Sequence, residues 1–245
     1  IPIKRVEYEV MNVDKLSKRL ENVASYIPKG SVLADIGSDH AYLPCYAVKE
    51  GIVQKAIAGE VVEGPFQSAL NQVNECNLED FISVRKGNGL DVISPGEATA
   101  ITICGMGGSL ITSILENGKS KLSGKETLIL QPNIGAQFIR KWLIAEGWVL
   151  KTEEILEEDG KIYEILVAEK GEPLKAYQGL PYEAAELMGP FLLKEKNAVF
   201  MKKWTMELKH WHRILQQIES SENERTQEKK EEIQKSINLV EEALR

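Results

Sequence analysis

The chain has 245 residues, 43% hydrophobic and 27% charged, enough to bury one large core or a smaller core with an appendage while staying in water. It has no apolar run near the roughly 18 residues of a membrane span and no secretory apolar stretch at its start. A formal charge of −7 argues against coating nucleic acid non-specifically, because such binding depends on neutralising phosphates.

Three cysteines (Cys45, Cys76, Cys104), never CxxC-spaced, and three histidines argue against a disulfide framework and against any metal centre. The expected compartment is a reducing cytoplasm. Residues 1–10, IPIKRVEYEV, precede Met11 and read as an added expression sequence or an alternative start. The charge is uneven. Residues 191–220 carry six basic side chains against three acidic ones, net +3, and residues 1–190 are net −8. An acidic body thus carries a locally basic arm.

Taken in chain order, residues 13–26 place Leu16, Leu20, Val23 and Ile27 four, three and four apart, predicting an amphipathic helix with Lys15, Lys18 and Arg19 on its polar side. SVLADI (31–36) reads as a strand entering a glycine-containing loop. Strands are predicted at 55–60, 81–86, 98–104 and 127–131, alternating with helices at 63–76, 107–117 and 134–146. Such alternation favours βαβ units in a parallel sheet covered on both faces. Two β-rich runs then flank Asp159-Gly160, a two-residue hairpin signal. The expected class is α/β: a doubly wound, mostly parallel, Rossmann-like methyltransferase sheet ending in an antiparallel hairpin.

From about 191 the apolar spacing becomes heptad-like, through Met201, Trp204, Leu208, Trp211, Leu215 and Ile218. After a polar break at Ser220–Glu224 it resumes at Ile233, Ile237, Val240 and Leu244. Two helices in a C-terminal coiled-coil hairpin are expected, giving a domain at 1–190 and an appendage at 191–245. Trp204 and Trp211 fall on the hairpin seam, where they would be core.

Five segments carry the chemistry, and each follows a predicted strand. Asp35-Ile36-Gly37-Ser38-Asp39-His40 lacks the later glycines of G-x-G-x-x-G, and the Asp39 carboxylate would repel a pyrophosphate. It suits a cation instead, which favours S-adenosylmethionine over NAD. Glu60, 23 residues beyond Gly37, can accept both hydroxyls of a ribose. In Gly87-Asn88-Gly89-Leu90, Asn88 can bond an adenine amino group while Leu90 covers the ring. Cys104-Gly105-Met106-Gly107-Gly108 offers backbone amides at close approach, with Cys104 read as a small buried strand residue. Gln131-Pro132-Asn133 sets two carboxamides beside a rigid proline, suited to a nucleobase edge.

With ADIGSDHAYLP, AGE, GNGL, ITICGMGG and LQPN in that order, the chain resembles the bacterial tRNA (adenine(22)-N1)-methyltransferase family from about Lys15 to the C-terminal helices. The resemblance implies a class I methyltransferase body, S-adenosylmethionine as cofactor, tRNA as partner and an N1-methylated adenine as product. It implies cofactor contacts at Asp35, Gly37, Glu60, Asn88 and Leu90, flanked by Ser38, Val61, Gly89 and Gly105. His40 and Met106 stand between the cofactor and the base. Asp39, Tyr42, Gln131 and Asn133 are the expected catalytic set. The tRNA backbone is expected on Lys15, Lys18 and Arg19 with Lys202, Lys203, Lys209 and Arg213. Position 88 departs from the pattern in being Asn where Asp would also serve.

Independently, Gly-Met-Gly-Gly stands where methylases of exocyclic amines carry an Asn/Asp-Pro-Pro-aromatic motif, which favours a ring nitrogen as target. Competing expectations are a small-molecule methyltransferase with a dimerising tail, a non-catalytic coiled-coil interaction protein and an NAD-dependent oxidoreductase. A monomer or weak dimer without metal is expected.

Overall fold

The computed structural model describes residues 12–218 and 224–245. Residues 1–10 and most of the polar break at 220–224 lie outside the described residues. A first helix, α1 (Lys18–Ser25), is capped by Ser17, whose hydroxyl accepts the Leu20 N–H. It is shorter than the spacing predicted. Leu16 and Ile27 flank it as buried anchors, and Lys15 sits in the turn before it.

Then follow β1 (Val32–Ile36), α2 (Tyr42–Lys49), β2 (Lys55–Glu60), α3 (Glu63–Glu75) and β3 (Ile82–Lys86). After a 3-10 turn at Gly89–Val92 come β4 (Ala100–Gly107), α4 (Gly108–Asn117), β5 (Thr127–Ile134) and α5 (Ala136–Ala145). The antiparallel pair β6 (Trp148–Glu158) and β7 (Lys161–Lys170) follows, then α6 (Tyr182–Met188), α7 (Pro190–Glu195), α8 (Ala198–Ile218) and α9 (Glu224–Leu244).

The seven strands form one sheet in the order β3-β2-β1-β4-β5-β7-β6. β1 pairs in parallel with both β2 and β4, so the winding reverses there, and this switch point is where such sheets bind ligands. Val, Ile, Leu and Ala fill β1, β2 and β4 with almost no alternation, as strands buried on both faces require. The hairpin turns through Asp159 (φ 49°) and Gly160 (φ 73°), both left-handed as a tight two-residue turn demands.

The chain folds as two compact units. One runs up to Cys104 and takes in Ile114–Ile129; the other comprises Gly105–Ser113 and Leu130–Arg245. In the second unit α8 and α9 pack on each other, with Ile237 and Val240 buried. Trp204 is 3% exposed and makes tilted ring contacts with Phe200 and Trp211. β4 and β5 run three residues further than the apolar pattern predicts, carrying Gly105–Gly107 and Pro132–Ile134 as strand.

Candidate active site

In the first unit the loop after β1 is held by β2. Gly37 N–H and Ser38 N–H both donate to the Gly59 carbonyl, at 2.9 and 3.2 Å. Gly37 has φ 73°, and Asp39 (φ 56°) and Ala41 (φ 54°) are also left-handed. Three left-handed residues in five make a tight turn that delivers the chain to α2 at Tyr42. The His40 ring stacks on Tyr42, centroids 5.2 Å apart and nearly parallel. Glu60 is buried, and its carboxylate accepts the Asp39 N–H. The acid that closes β2 therefore braces the loop that follows β1, while the Asp39 side chain stays 71% exposed.

Asp35 is buried deeper than the pattern implied. Its two carboxylate oxygens accept from Ser38 Oγ and Thr102 Oγ1, each at 2.6 Å. Thr102 is its register partner on β4. Burial pushes the Asp35 carboxyl up to about 6, against the pull of those two hydroxyls, with the charge of Glu60 adding to the rise and Arg19 opposing it. Burial also raises Glu60, opposed by the Asp39 N–H.

A carboxyl that is harder to ionise folded than unfolded stabilises the fold fully below about pH 4, and that contribution is lost as pH rises through about 6. The shift from 3.8 corresponds to about 3 kcal/mol. Asp35→Asn is therefore expected to raise the unfolding free energy at pH 7.5 by up to about 3 kcal/mol, with the gain shrinking toward pH 4. Urea titrations at the two pH values check it, and a variant less stable at both would refute this reading of the buried acid.

Further along this unit, Asn88 is exposed between β3 and the 3-10 turn, and Gly89 is left-handed (φ 55°). Leu90 corrects an expectation. It is 1% exposed and packs on Gly118, where any Cβ would meet the Leu90 Cβ at 2.5 Å. The side chain is core and cannot cover a ligand ring; only its backbone borders the loop. Val61 is 57% exposed at the mouth of the loop.

In the second unit the end of β4 and the end of β5 are clamped together. Gln131 Oε1 accepts the Gly105 N–H at 3.1 Å, and Asn133 Nδ2 donates to the Gly105 carbonyl at 2.7 Å. The N–H and the carbonyl of one strand-end residue, in successive peptide groups, are thus both held, at a glycine with φ 75°. Gln131 is fully buried and its Nε2 donates to the Pro132 carbonyl, so it cannot reach a base edge as its sequence position suggested. Asn133 remains exposed, as does Gly105, with Met106 half-buried beside it.

The three glycines of the segment differ in reason. Gly108 has none to do with conformation: a Cβ there would lie 2.0 Å from the Gly135 carbonyl oxygen. Gly105 needs its left-handed φ, whereas a Cβ on Gly107 would meet nothing within 4 Å.

The expected tail cations divide. Lys202 pairs with Glu157, and Lys203 with Glu164. Lys209 and Arg213 are exposed and pair with no described residue. Lys15 and Lys18 are exposed, and Arg19 is half-buried with its charge felt at Asp35.

Sequence reasoning missed a buried charge cluster in the second unit. Arg140 is fully buried. Its Nε donates to Glu153 Oε1 at 2.6 Å, its Nη2 to Glu164 and its Nη1 to the Leu187 carbonyl at 3.0 Å. Its partners lie 13 and 24 residues away in the hairpin, so no local pattern announces them. Among the described residues no cluster of three or more His, Cys, Asp or Glu could hold a metal, and no helix is long and apolar enough to cross a membrane.

The crevice beyond β1 thus carries Asp39 at its surface with Glu60 and Asp35 buried behind it, a set that attracts a cation and repels phosphates. Comparisons with known proteins agree with that chemistry. The family model for TrmK, tRNA (adenine(22)-N(1))-methyltransferase, matches residues 33–242. The tRNA (adenine(22)-N(1))-methyltransferase of Bacillus subtilis is 57% identical over 235 residues, 96% of this chain and 99% of that protein. The crystal structure of the B. subtilis enzyme superposes with a TM-score of 0.92, covering 95% of this chain and all of that one. A Streptococcus pneumoniae relative solved in complex with S-adenosyl-L-methionine is 43% identical with a TM-score of 0.82, covering 94% and 99%. Mycoplasma capricolum TrmK, in complex with S-adenosyl-homocysteine, is 29% identical with a TM-score of 0.80, covering 94% and 99%. On the residues of its crevice and on a match over nearly its whole length, this chain belongs to the tRNA (adenine(22)-N(1))-methyltransferase family.

Proposed function

We propose that this chain transfers the methyl group of S-adenosylmethionine to N1 of an adenine in tRNA. The observation that carries the reading is the acidic loop at the sheet's switch point, in a chain that matches this family's model over residues 33–242. S-adenosylmethionine supplies an electrophilic methyl on a positively charged sulfur. Glu60 is suited to grip the ribose: one oxygen fixes the Asp39 N–H and leaves lone pairs for hydroxyls. Asn88 and the left-handed Gly89 would meet the adenine of the cofactor. Asp35 acts through Ser38 and not by direct contact, because its side chain is buried behind Ser38 and Thr102.

Adenine N1 presents an in-plane lone pair and needs no deprotonation before attack. The protein must supply placement, worth ~7–11 kcal/mol when complete, and must tolerate a base that becomes cationic. Asp39, exposed, with a His40 nitrogen 3.8 Å away and no described Lys or Arg paired to it, is the carboxylate suited to that charge and to an N6 proton. Tyr42 offers a ring for the base to stack on. Gln131 and Asn133 hold the Gly105 peptide, so they position the strand end. A base inside folded tRNA must leave its stack to arrive, at a cost of a few kcal/mol.

The test is incubation with methyl-labelled S-adenosylmethionine and an unmodified tRNA transcript, with the product mapped by a reverse-transcription stop. A methyl at adenine N1 supports the reading. Label absent from RNA, or calorimetric binding of NAD in place of the methyl donor, would refute it.

For RNA contact, the unpaired Lys209 and Arg213 are the strongest candidates of the tail; Lys202 and Lys203 already serve carboxylates. We therefore propose that the 191–245 appendage presents Lys209 and Arg213 to phosphates. Replacing both by Gln is expected to weaken tRNA binding severalfold at low salt and to flatten the slope of log affinity against log salt by nearly two. An unchanged slope in a filter-binding series would make them ordinary solvated charges.

A further inference from the structure

The second unit contains a cavity of about 570 Å³ among the start of α5, the start of β7 and α8, a volume typical of small-ligand pockets. We propose that it is a second nucleotide subsite, taking a residue of the tRNA that neighbours the target adenine and is not itself methylated. The inference rests on the tRNA reading above.

The walls are aromatic and come from separate elements: Phe138 of α5, and Trp204 and Trp211 of α8. Phe138 is 47% exposed and Trp211 half-exposed, so both offer ring surface to an occupant. Flat π faces stack any base with little regard to sequence. Trp204 is 97% buried and backs Trp211, ring centroids 6.2 Å apart.

The polar rim fits the rest of a nucleotide. Lys161, at the hairpin turn, is exposed and pairs with no described carboxylate, unlike Lys203 on the opposite wall, which Glu164 holds. It is the cation available to a phosphate. Glu207 and Gln137 also line the space, and a carboxylate there accepts from an exocyclic amine, favouring adenine, guanine or cytosine over uracil. Asn133 belongs to this lining and also clamps Gly105, so the cavity is continuous with the strand end proposed to position the target base. A free metabolite would have no reason to adjoin that clamp. A nucleotide joined to the target does.

The experiment uses the full chain and fluorescently labelled, unmodified tRNA transcripts. One set is intact, and others carry a single abasic residue at each position flanking the methylated adenine. Binding is measured for the wild type, Trp211→Ala, Phe138→Ala and Lys161→Gln, with S-adenosylmethionine affinity and thermal midpoint as controls for folding. Trp211→Ala and Phe138→Ala are each expected to weaken tRNA binding about tenfold, with cofactor affinity within twofold of the wild type. One abasic position should weaken the wild type by a similar factor and cost Trp211→Ala nothing further.

If the wild type methylates tRNA but no flanking abasic residue costs more than twofold, the subsite is overturned and the function stands. The same holds if abasic and protein losses simply multiply. If the wild type transfers no methyl to tRNA, the function itself fails and the subsite with it.

Discussion

Arg140→Met is expected to lower the unfolding free energy by about 3–5 kcal/mol, the usual consequence of stripping one partner from a buried ion pair. The reason lies in a charge balance. Arg140 and Lys203 face Glu153 and Glu164, two positive charges against two negative, with Arg140, Glu153 and Glu164 essentially inaccessible to water. Burial alone would lower the Arg140 guanidinium; the two carboxylates beside it hold it above its ordinary value. Burial raises Glu153 against the pull of Arg140, whereas Glu164, facing both Lys203 and Arg140, stays below the usual range despite its burial.

Methionine fills much of the arginine's volume but leaves Glu153 with only the Phe191 N–H, at 3.0 Å. The fold must then protonate a buried acid or admit water. Gly189 sits against the same cluster at φ 96°, and a Cβ there would meet Glu153 Oε2 at 2.8 Å, so no larger residue at 189 can relieve the loss. The double variant Arg140→Met with Glu153→Gln should recover part of the stability, because the stranded charge goes with its partner. Urea denaturation is the measurement. A loss below 1 kcal/mol for the single variant would show that water reaches the cluster and that the charges are not interdependent.

That cluster also marks where the sequence stopped being legible. β2 could be read to the residue at 55–60, and the hairpin from Asp159-Gly160, because a short apolar run and turn chemistry are local signals. α2 gave no such signal. It starts at Tyr42 without a side-chain cap, behind a left-handed Ala41, and carries Pro44 in its first turn, so YLPCY resembles loop. α6 and α7 are a turn or two each, punctuated by Pro181, Gly189 and Pro190, too short for periodicity to declare them.

At the site, a residue's place on the sheet was more legible than the direction of its side chain. Asp35, Leu90 and Gln131 occupy the strand ends where a cofactor or base is met, yet each turns its side chain inward: to Thr102, to Gly118 and to the Gly105 peptide. Spacing along a chain fixes which strand end a residue occupies. Which way its side chain points depends on partners that lie 26 to 67 residues away.

Asp39→Asn should reduce the turnover of tRNA methylation about a hundredfold, the scale of a positioned acid–base or charge-compensating group, while changing cofactor affinity by no more than a few fold. Asparagine is the informative replacement because Asp39 sits at φ 56°, a region that Asn adopts at lower cost than Ala. The Asp39 N–H bond to Glu60 is a backbone contact and survives the change, so the brace between the two strand ends is retained. Only the exposed carboxylate's charge and its ability to take a proton are removed. Methylation turns the adenine ring cationic and acidifies its amino group, so both losses fall mainly on the transition state and on product formation, and the exposed charge that also attracts the cofactor's sulfonium costs its affinity only those few fold. Single-turnover rates at saturating tRNA and methyl donor separate this from binding. A rate within threefold of the wild type would leave the loop aspartate as a turn residue, and the compensation of the new charge would have to come from the phosphates of the tRNA.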